Sequence, residues 1–275
     1  MNSTHNAILS TLALLLCVSA HAQESTINFS TPEELQADLR LAPCKNDERL
    51  EGVKVLFEKV GAPASAVSAE KYKSVENLVI RKQGTSPETI VIGAHYDKVP
   101  DGCGALDNWT GIVALAHIYR SIKDVPLRKT IIFVAFGKEE DGLIGSRAMV
   151  DAIAKEQLGR YCAMINIDSL GLAAPQVLDN ASSKKLRDLA EDVAKNMKMP
   201  FGHAMVGTAD SDSSSFIRKK VPAVTIHGLT NEWSSILHSR NDQVSKVNPV
   251  SVYLGYRLVL AMVGRLDTSV CAAYG

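Results

Sequence analysis

The sequence predicts an α/β fold, a sandwich in which helices flank a largely parallel central sheet. Three observations carry this. Three apolar runs, Thr89 to Tyr96, Thr130 to Phe136 and Tyr161 to Ile167, are nearly continuous rather than alternating, as strands buried on both faces must be. Segments with helical spacing separate them, the alternation that yields parallel sheets. And 275 residues, 46% hydrophobic and 22% charged, suffice for one large core without a second domain.

The elements follow in order. Residues 1–22 read as a secretory signal peptide. Ala7 to Val18 is apolar except for Ser10 and Thr11, too short for the ~20 residues a membrane span needs. Ala20-His21-Ala22 forms a small-x-small cleavage site, although no Lys or Arg precedes the apolar run. Leu16 is not the small residue a lipid-anchored Cys17 would need before it. Residues 23–275 are then one exported domain, secreted or periplasmic, with no membrane contact after cleavage and a monomer as the default. Thr31 to Val60 has helical spacing, with Thr31 as cap and Pro32 at the first helical position, and Gly61-Ala62-Pro63 ends it. Val75 to Lys82 and Thr89 to Tyr96 are strands, Gly111 to Ile122 a helix and Thr130 to Phe136 a strand. Ile144 to Lys155 reads as a helix, Tyr161 to Ile167 as a strand and Ser182 to Met197 as an amphipathic helix. Gly207 to Ser215 is the most loop-like stretch. Ala223 to His227 is a short strand, and Pro249 to Leu266 a closing helix.

Charge and cysteines narrow the function. Thirty basic side chains balance thirty acidic ones and aromatics are 5%, so neither a phosphate-tracking surface nor base stacking is indicated, and nucleic acid is not expected as a partner. Four cysteines follow the leader: Cys44, Cys103, Cys162 and Cys271. Without a C-x-x-C, export favours disulfides over thiolate metal sites. Of three connectivities, Cys103 with Cys162 is disfavoured. The loop carrying Cys103 is expected at the end of the sheet opposite the start of the Cys162 strand, roughly 20 Å away at ~3.3 Å per residue, against a Cα limit of about 7 Å.

In an open parallel sheet, ligands bind beyond the carboxyl ends of the strands. His95 and Asp97 lie two apart at one such end, and Asp107 follows in the next loop. Glu139 and Glu140 follow the strand ending at Phe136, Asp168 ends the next, and His238 precedes the last helix. Gathering these carboxylates without a cation is costly, since like charges in a cleft repel. Imidazole with carboxylate suits zinc, whereas magnesium and calcium prefer oxygen alone. H-E-x-x-H, G-x-S-x-G, the P-loop and G-x-G-x-x-G are absent. Each residue alone has an ordinary reading: a capped strand end for His95 and Asp97, a helix start for Asp107, a solvated turn for Glu139 and Glu140. Their joint occurrence does not. His117 and His203 read as structural or surface residues and Trp109 as packing. His227 ends a strand at the same edge, from which it can reach a pocket wall, although strand-end packing is its commoner fate.

The runs Gly93-Ala94-His95-Tyr96-Asp97, Gly104-Ala105-Leu106-Asp107-Asn108, Glu139-Glu140-x-Gly142-Leu143-x-Gly145-Ser146 and Asn166-x-Asp168, with His238, resemble the zinc-dependent exopeptidases. That family includes bacterial leucyl aminopeptidases, glutamate carboxypeptidase and the transferrin-receptor ectodomain. The resemblance spans about Val75 to His238, including Asp210 to Phe216 and Val221-Pro222-Ala223-Val224. It implies a three-layer sandwich with a mostly parallel, mixed central sheet flanked by helices. It also implies two zinc ions: Asp107 bridges them, His95 and Asp168 complete one, and Glu140 and His238 the other. Asp97 accepts the second ring N–H of His95 and fixes its tautomer. Glu139 is the general base for a metal-bridged water, with Glu139 and Glu140 pointing apart. The implied activity is aminopeptidase hydrolysis at peptide or protein N-termini. The alternatives are a single-zinc glutaminyl cyclase, a dipeptidase or carboxypeptidase on the same metal centre, and a binding ectodomain that has lost the chemistry. Ser213 after Asp212 departs from the family's usual His and puts the substrate-pocket shape in doubt.

Overall fold

The structure is a computed structural model that describes residues 27–207 and 209–275; the signal-peptide reading of residues 1–22 lies outside them. Eight strands form one mixed sheet: β1 (Val67–Tyr72), β2 (Val75–Lys82), β3 (Thr89–His95), β4 (Thr130–Phe136), β5 (Tyr161–Ile167), β6 (Gln176–Leu178), β7 (Gly202–Ala204) and β8 (Ala223–His227). Their spatial order is β1-β2-β4-β3-β5-β8-β6-β7. The centre, β4-β3-β5-β8, is parallel, while β1 with β2, β2 with β4 and β6 with β8 are antiparallel. All central strands therefore end at one edge, where the acidic loops emerge.

Among the described residues, seven α-helices cover the sheet: α1 (Pro32–Leu39), α2 (Asn46–Lys59), α3 (Thr110–Ile122), α4 (Ile144–Asp151), α5 (Lys184–Asn196), α6 (Asp212–Arg218) and α7 (Pro249–Thr268). Alternate strand residues point to opposite faces, and the two faces build two cores. Leu78, Ile80, Ile90, Ile92, Phe133 and Ile165 pack under α1, α2, α3, α5 and α7. Val79, Val91, Val134 and Met164 pack under α4 and α6, against Met149 and Phe216. The fold is the three-layer α/β sandwich expected. Among the described residues, no helix is long and apolar enough to cross a membrane.

Several boundaries differ from the sequence reading. The helical stretch from Thr31 to Val60 is two helices. Thr31 caps α1 as a capping box, its hydroxyl accepting the Glu34 N–H while Glu34 accepts the Thr31 N–H. The chain then breaks before Pro43, whose ring disfavours helix at the preceding residue, and Cys44 is anchored by its disulfide to Cys103. A second disulfide joins Cys162 to Cys271, so the pairing disfavoured on distance is not the one formed. The helix from Ile144 stops at Asp151 and gives way to 3₁₀ turns over Lys155–Arg160. The polar stretch around Asp212 is not all loop, since α6 begins there. Its hydroxyls find buried partners: Ser213 Oγ donates to the Ala181 carbonyl at 2.7 Å, and Ser215 Oγ lies 2.8 Å from Ser146 Oγ.

Candidate metal centre

At the carboxyl edge the structure brings His95, Asp107, Glu139, Glu140, Asp168 and His238 around one cavity of about 520 Å³. Asp107 is the hub. Its Oδ1 lies 3.1 Å from His95 Nε2, and its Oδ2 lies 3.1 Å from His238 Nε2. Each histidine faces a second carboxylate: Asp168 Oδ1 is 3.4 Å from His95 Nε2, and Glu140 Oε2 is 3.2 Å from His238 Nε2. Two triads thus share Asp107, one with His95 and Asp168, the other with Glu140 and His238. Within each triad the donor atoms lie within 4.8 Å of one another.

The loops that aim these groups are tied down by residues the sequence reading did not single out. Asp242 accepts the main-chain N–H of Leu106 at 2.7 Å and that of Asp107 at 3.1 Å. Asn108, on a cis peptide after Asp107, donates to the Ile167 carbonyl at 2.8 Å and accepts from the Gly111 and Ser169 N–H groups. It therefore locks the Asp107 loop to the end of β5. Gly111 must lack a side chain, because a Cβ there would sit 2.4 Å from Asn108 Oδ1 and 2.6 Å from the Ile167 carbonyl oxygen. Arg49, fully buried on α2, donates to the carbonyls of Pro43, Tyr96, Cys103 and Gly104. That one guanidinium ties α2 to the loop leading from His95 to Asp107. Asn108 stood inside the run already noted for Asp107, and Asp242 lies four residues after His238; Arg49 left no sequence signal, being one of several cations on a helix.

One expectation requires correction. The His95 Nδ1 is 3.1 Å from the main-chain carbonyl of Asp97 but 3.7 Å from its carboxylate. The carbonyl therefore takes the ring N–H, leaving Nε2 to face the cavity. The Asp97 carboxylate instead accepts the N–H of Glu139 at 3.0 Å and of Glu140 at 3.2 Å, holding the turn after β4. Glu139 and Glu140 both reach the cavity, an oxygen of each lying within 4.8 Å of a His95 ring nitrogen and of the other; they follow β4 through a left-handed Lys138 at φ 55°.

The electrostatics call for positive charge. Burial pushes the Glu139 carboxyl well above the usual carboxylate range; His95 pulls it back, while Asp168, Asp212 and Asp107 raise it further. Hydrogen bonds to Asp107 and Glu140 push His238 up to about 10. Burial alone would depress His95, but the surrounding carboxylates raise it well above an ordinary histidine. Glu140 Oε1 is buried with no hydrogen-bond partner, a donor atom held dry for something to bind. Nitrogen and carboxylate donors in two such triads fit divalent cations of the zinc type.

Other candidates sort themselves. His117 is buried between Ser30 and Asp38, at 2.7 and 3.0 Å. His203 pairs with Asp179. Trp109 stacks near Arg49, 5.5 Å from its guanidinium carbon, and is a packing residue. Ser213 lies beneath β8, 2.7 Å from Thr225 Oγ1, and is not part of the cavity wall. Asp212 beside it is fully buried with neither carboxylate oxygen paired, and burial pushes it up to about 7.

The sequence pattern of peptidase family M28 matches residues 77–263. Leucine aminopeptidase 2 of Trichophyton equinum is 24% identical over 231 residues, 73% of this chain and 46% of that protein. The chain spans less than half the length of the curated relatives it matches. A solved zinc aminopeptidase from Bacillus subtilis superposes with a TM-score of 0.63 at 24% identity, over 72% of this chain and 52% of the other. A glutaminyl cyclase from an Acidobacteriales bacterium superposes at 0.74 with 20% identity, over 90% of this chain and 98% of the other. These structures share its fold. With more than half its length matched, the chain belongs to peptidase family M28.

Proposed function

We propose that the protein is an exported zinc aminopeptidase that removes residues from the amino termini of peptides. The observation that carries the reading is Asp107, whose two carboxylate oxygens face two different histidines, each already paired with its own carboxylate. Such a group is built to share cations. His95, Asp107 and Asp168 would hold one zinc, and Asp107, Glu140 and His238 a second. When bound, zinc supplies Lewis acidity at a carbonyl and makes water a better nucleophile near neutral pH.

Glu139 acts as the general base. Burial and its acidic neighbours raise its carboxyl well above the usual carboxylate range, the direction that suits a group that must take a proton from the attacking water and return it to the leaving amine. Asp97 holds the Glu139 backbone at 3.0 Å, so the base is aimed rather than free. The cavity beside it has apolar walls, Leu178, Val206, Leu229, Trp233 and Leu237, suited to a substrate side chain. The leader over residues 1–22 and the two disulfides support export to an oxidising compartment.

Release of amino acids from short peptides, abolished by chelation and by Glu139→Gln, is the expected result. Normal turnover by E139Q rules out this assignment of the base. A second reading, a glutaminyl cyclase, draws on the neighbour matched over nearly its whole length. One tightly held zinc with pyroglutamate as product would favour it; two zincs with free amino acids favour the peptidase.

A further inference from the structure

His227 is a buried titratable group on the cavity wall that the proposed hydrolysis does not use. His227 closes β8. The register that sets Gly93 beside Asn166 and Ile167 beside Ile226 places His95, Asp168 and His227 in one row across β3, β5 and β8. Side chains in such a row leave the sheet on the same face, and neighbouring strands are ~4.8 Å apart. His227 is therefore the next residue out from the metal cluster. It is 2% exposed and lines the cavity. On the side away from β5 its register partner is Gln176, whose amide donates to the Leu229 carbonyl at 2.7 Å, and the apolar Leu178 and Leu229 line the same cavity.

The proton on this ring can be assigned. The Leu229 N–H donates to His227 Nδ1 at 3.2 Å, so Nδ1 is the acceptor and a neutral imidazole must carry its hydrogen on Nε2. The same contact shows the ring to be neutral, since a protonated imidazole has no acceptor at Nδ1. Nε2 is buried and makes no well-formed hydrogen bond, the Val177 backbone being at most a weak partner. A donor left in that state is costly unless a ligand satisfies it.

Resting on the aminopeptidase reading, we infer that the Nε2–H of His227 is a specificity-determining donor, offered to an uncharged oxygen on the side chain of the substrate's first residue. Apolar walls admit aliphatic side chains, and the donor adds primary amides such as glutamine. A carboxylate side chain would accept the same hydrogen bond, but Glu139 and Asp210, neither of them assigned to zinc, line the same cavity and repel it. A cationic side chain offers the ring no acceptor.

The test uses the zinc-loaded chain with leucine, glutamine and glutamate p-nitroanilides. The wild type is expected to hydrolyse the first two and to favour glutamine over glutamate by at least tenfold. His227→Phe keeps the ring's bulk and removes the donor. It should lower the glutamine-to-leucine ratio of kcat/KM on the order of five- to tenfold, the worth of one uncharged hydrogen bond, chiefly through KM. His227→Gln, which retains an amide N–H, should recover part of that ratio. An unchanged ratio in His227→Phe overturns the inference. So does equal use of glutamine and glutamate by the wild type, a reading that needs no variant to fold. Absence of turnover on all three substrates is a separate failure, that of the aminopeptidase reading, and it takes this inference with it.

Discussion

Asp97→Asn tests how the acidic turn is held. In the wild type both carboxylate oxygens accept main-chain N–H groups, Glu139 at 3.0 Å and Glu140 at 3.2 Å. Asparagine keeps one acceptor but presents an amide N–H₂ to the other donor, so one charge-assisted hydrogen bond is lost and its backbone N–H is left facing a donor. Such a bond is worth about 1.5–3 kcal/mol, which for a chain of this size lowers Tm by roughly 3–12 °C. The His95 ring is held by the Asp97 carbonyl, which the substitution leaves in place. The damage should therefore fall on the Glu140–His238 triad, loosening one zinc by about 10- to 100-fold, the usual effect of losing a group that supports a metal ligand. Competition against a chromophoric chelator reads the two affinities separately. Wild-type affinity at both ions would refute the clamp, and weakening confined to the zinc held by His95 would restore the ring-orienting role the sequence suggested.

Two further predictions concern stability. His227 has its pKa pushed from 6.5 down to about 4 by burial. Between those values the unfolded chain binds a proton that the folded chain does not, so stability falls as pH drops through this window, by about 3 kcal/mol across it. His227→Phe should lack that slope; parallel Tm-against-pH curves for the two proteins would contradict the assignment. Cys103→Ser opens a bridge spanning 59 residues of sequence, and loop closure of that length is worth about 4 kcal/mol. A loss below 1 kcal/mol in denaturant unfolding would show that the Arg49 network alone holds this loop.

What could be read in advance follows from what each feature depends on. β3, β4 and β5 were legible because strands buried on both faces need continuous apolar sequence. β1 was not, since Val67–Tyr72 is an edge strand with most residues partly or fully exposed, and β6 and β7 have only three residues each. α6 has a sequence that favours turns, and it forms because Ser213 and Ser215 find partners on other elements. At the site, the strand-end rule located His95, Asp107, Glu140, Asp168 and His238, and the structure brings them together. The partners of Asp97 and the buried contacts of Arg49 were out of reach. They depend on where backbone N–H and carbonyl groups from distant loops come to lie, which residue spacing does not encode.

The account turns on Asp107 being shared between two cations. Zinc counted by atomic emission on purified protein, alongside protein concentration from amino-acid analysis, tests this most directly. Two zinc ions per chain in the wild type, with Asp107→Asn unable to hold both, is the predicted result. A wild-type chain that binds a single zinc even when titrated with excess metal, or an Asp107→Asn variant that still holds two, would contradict it.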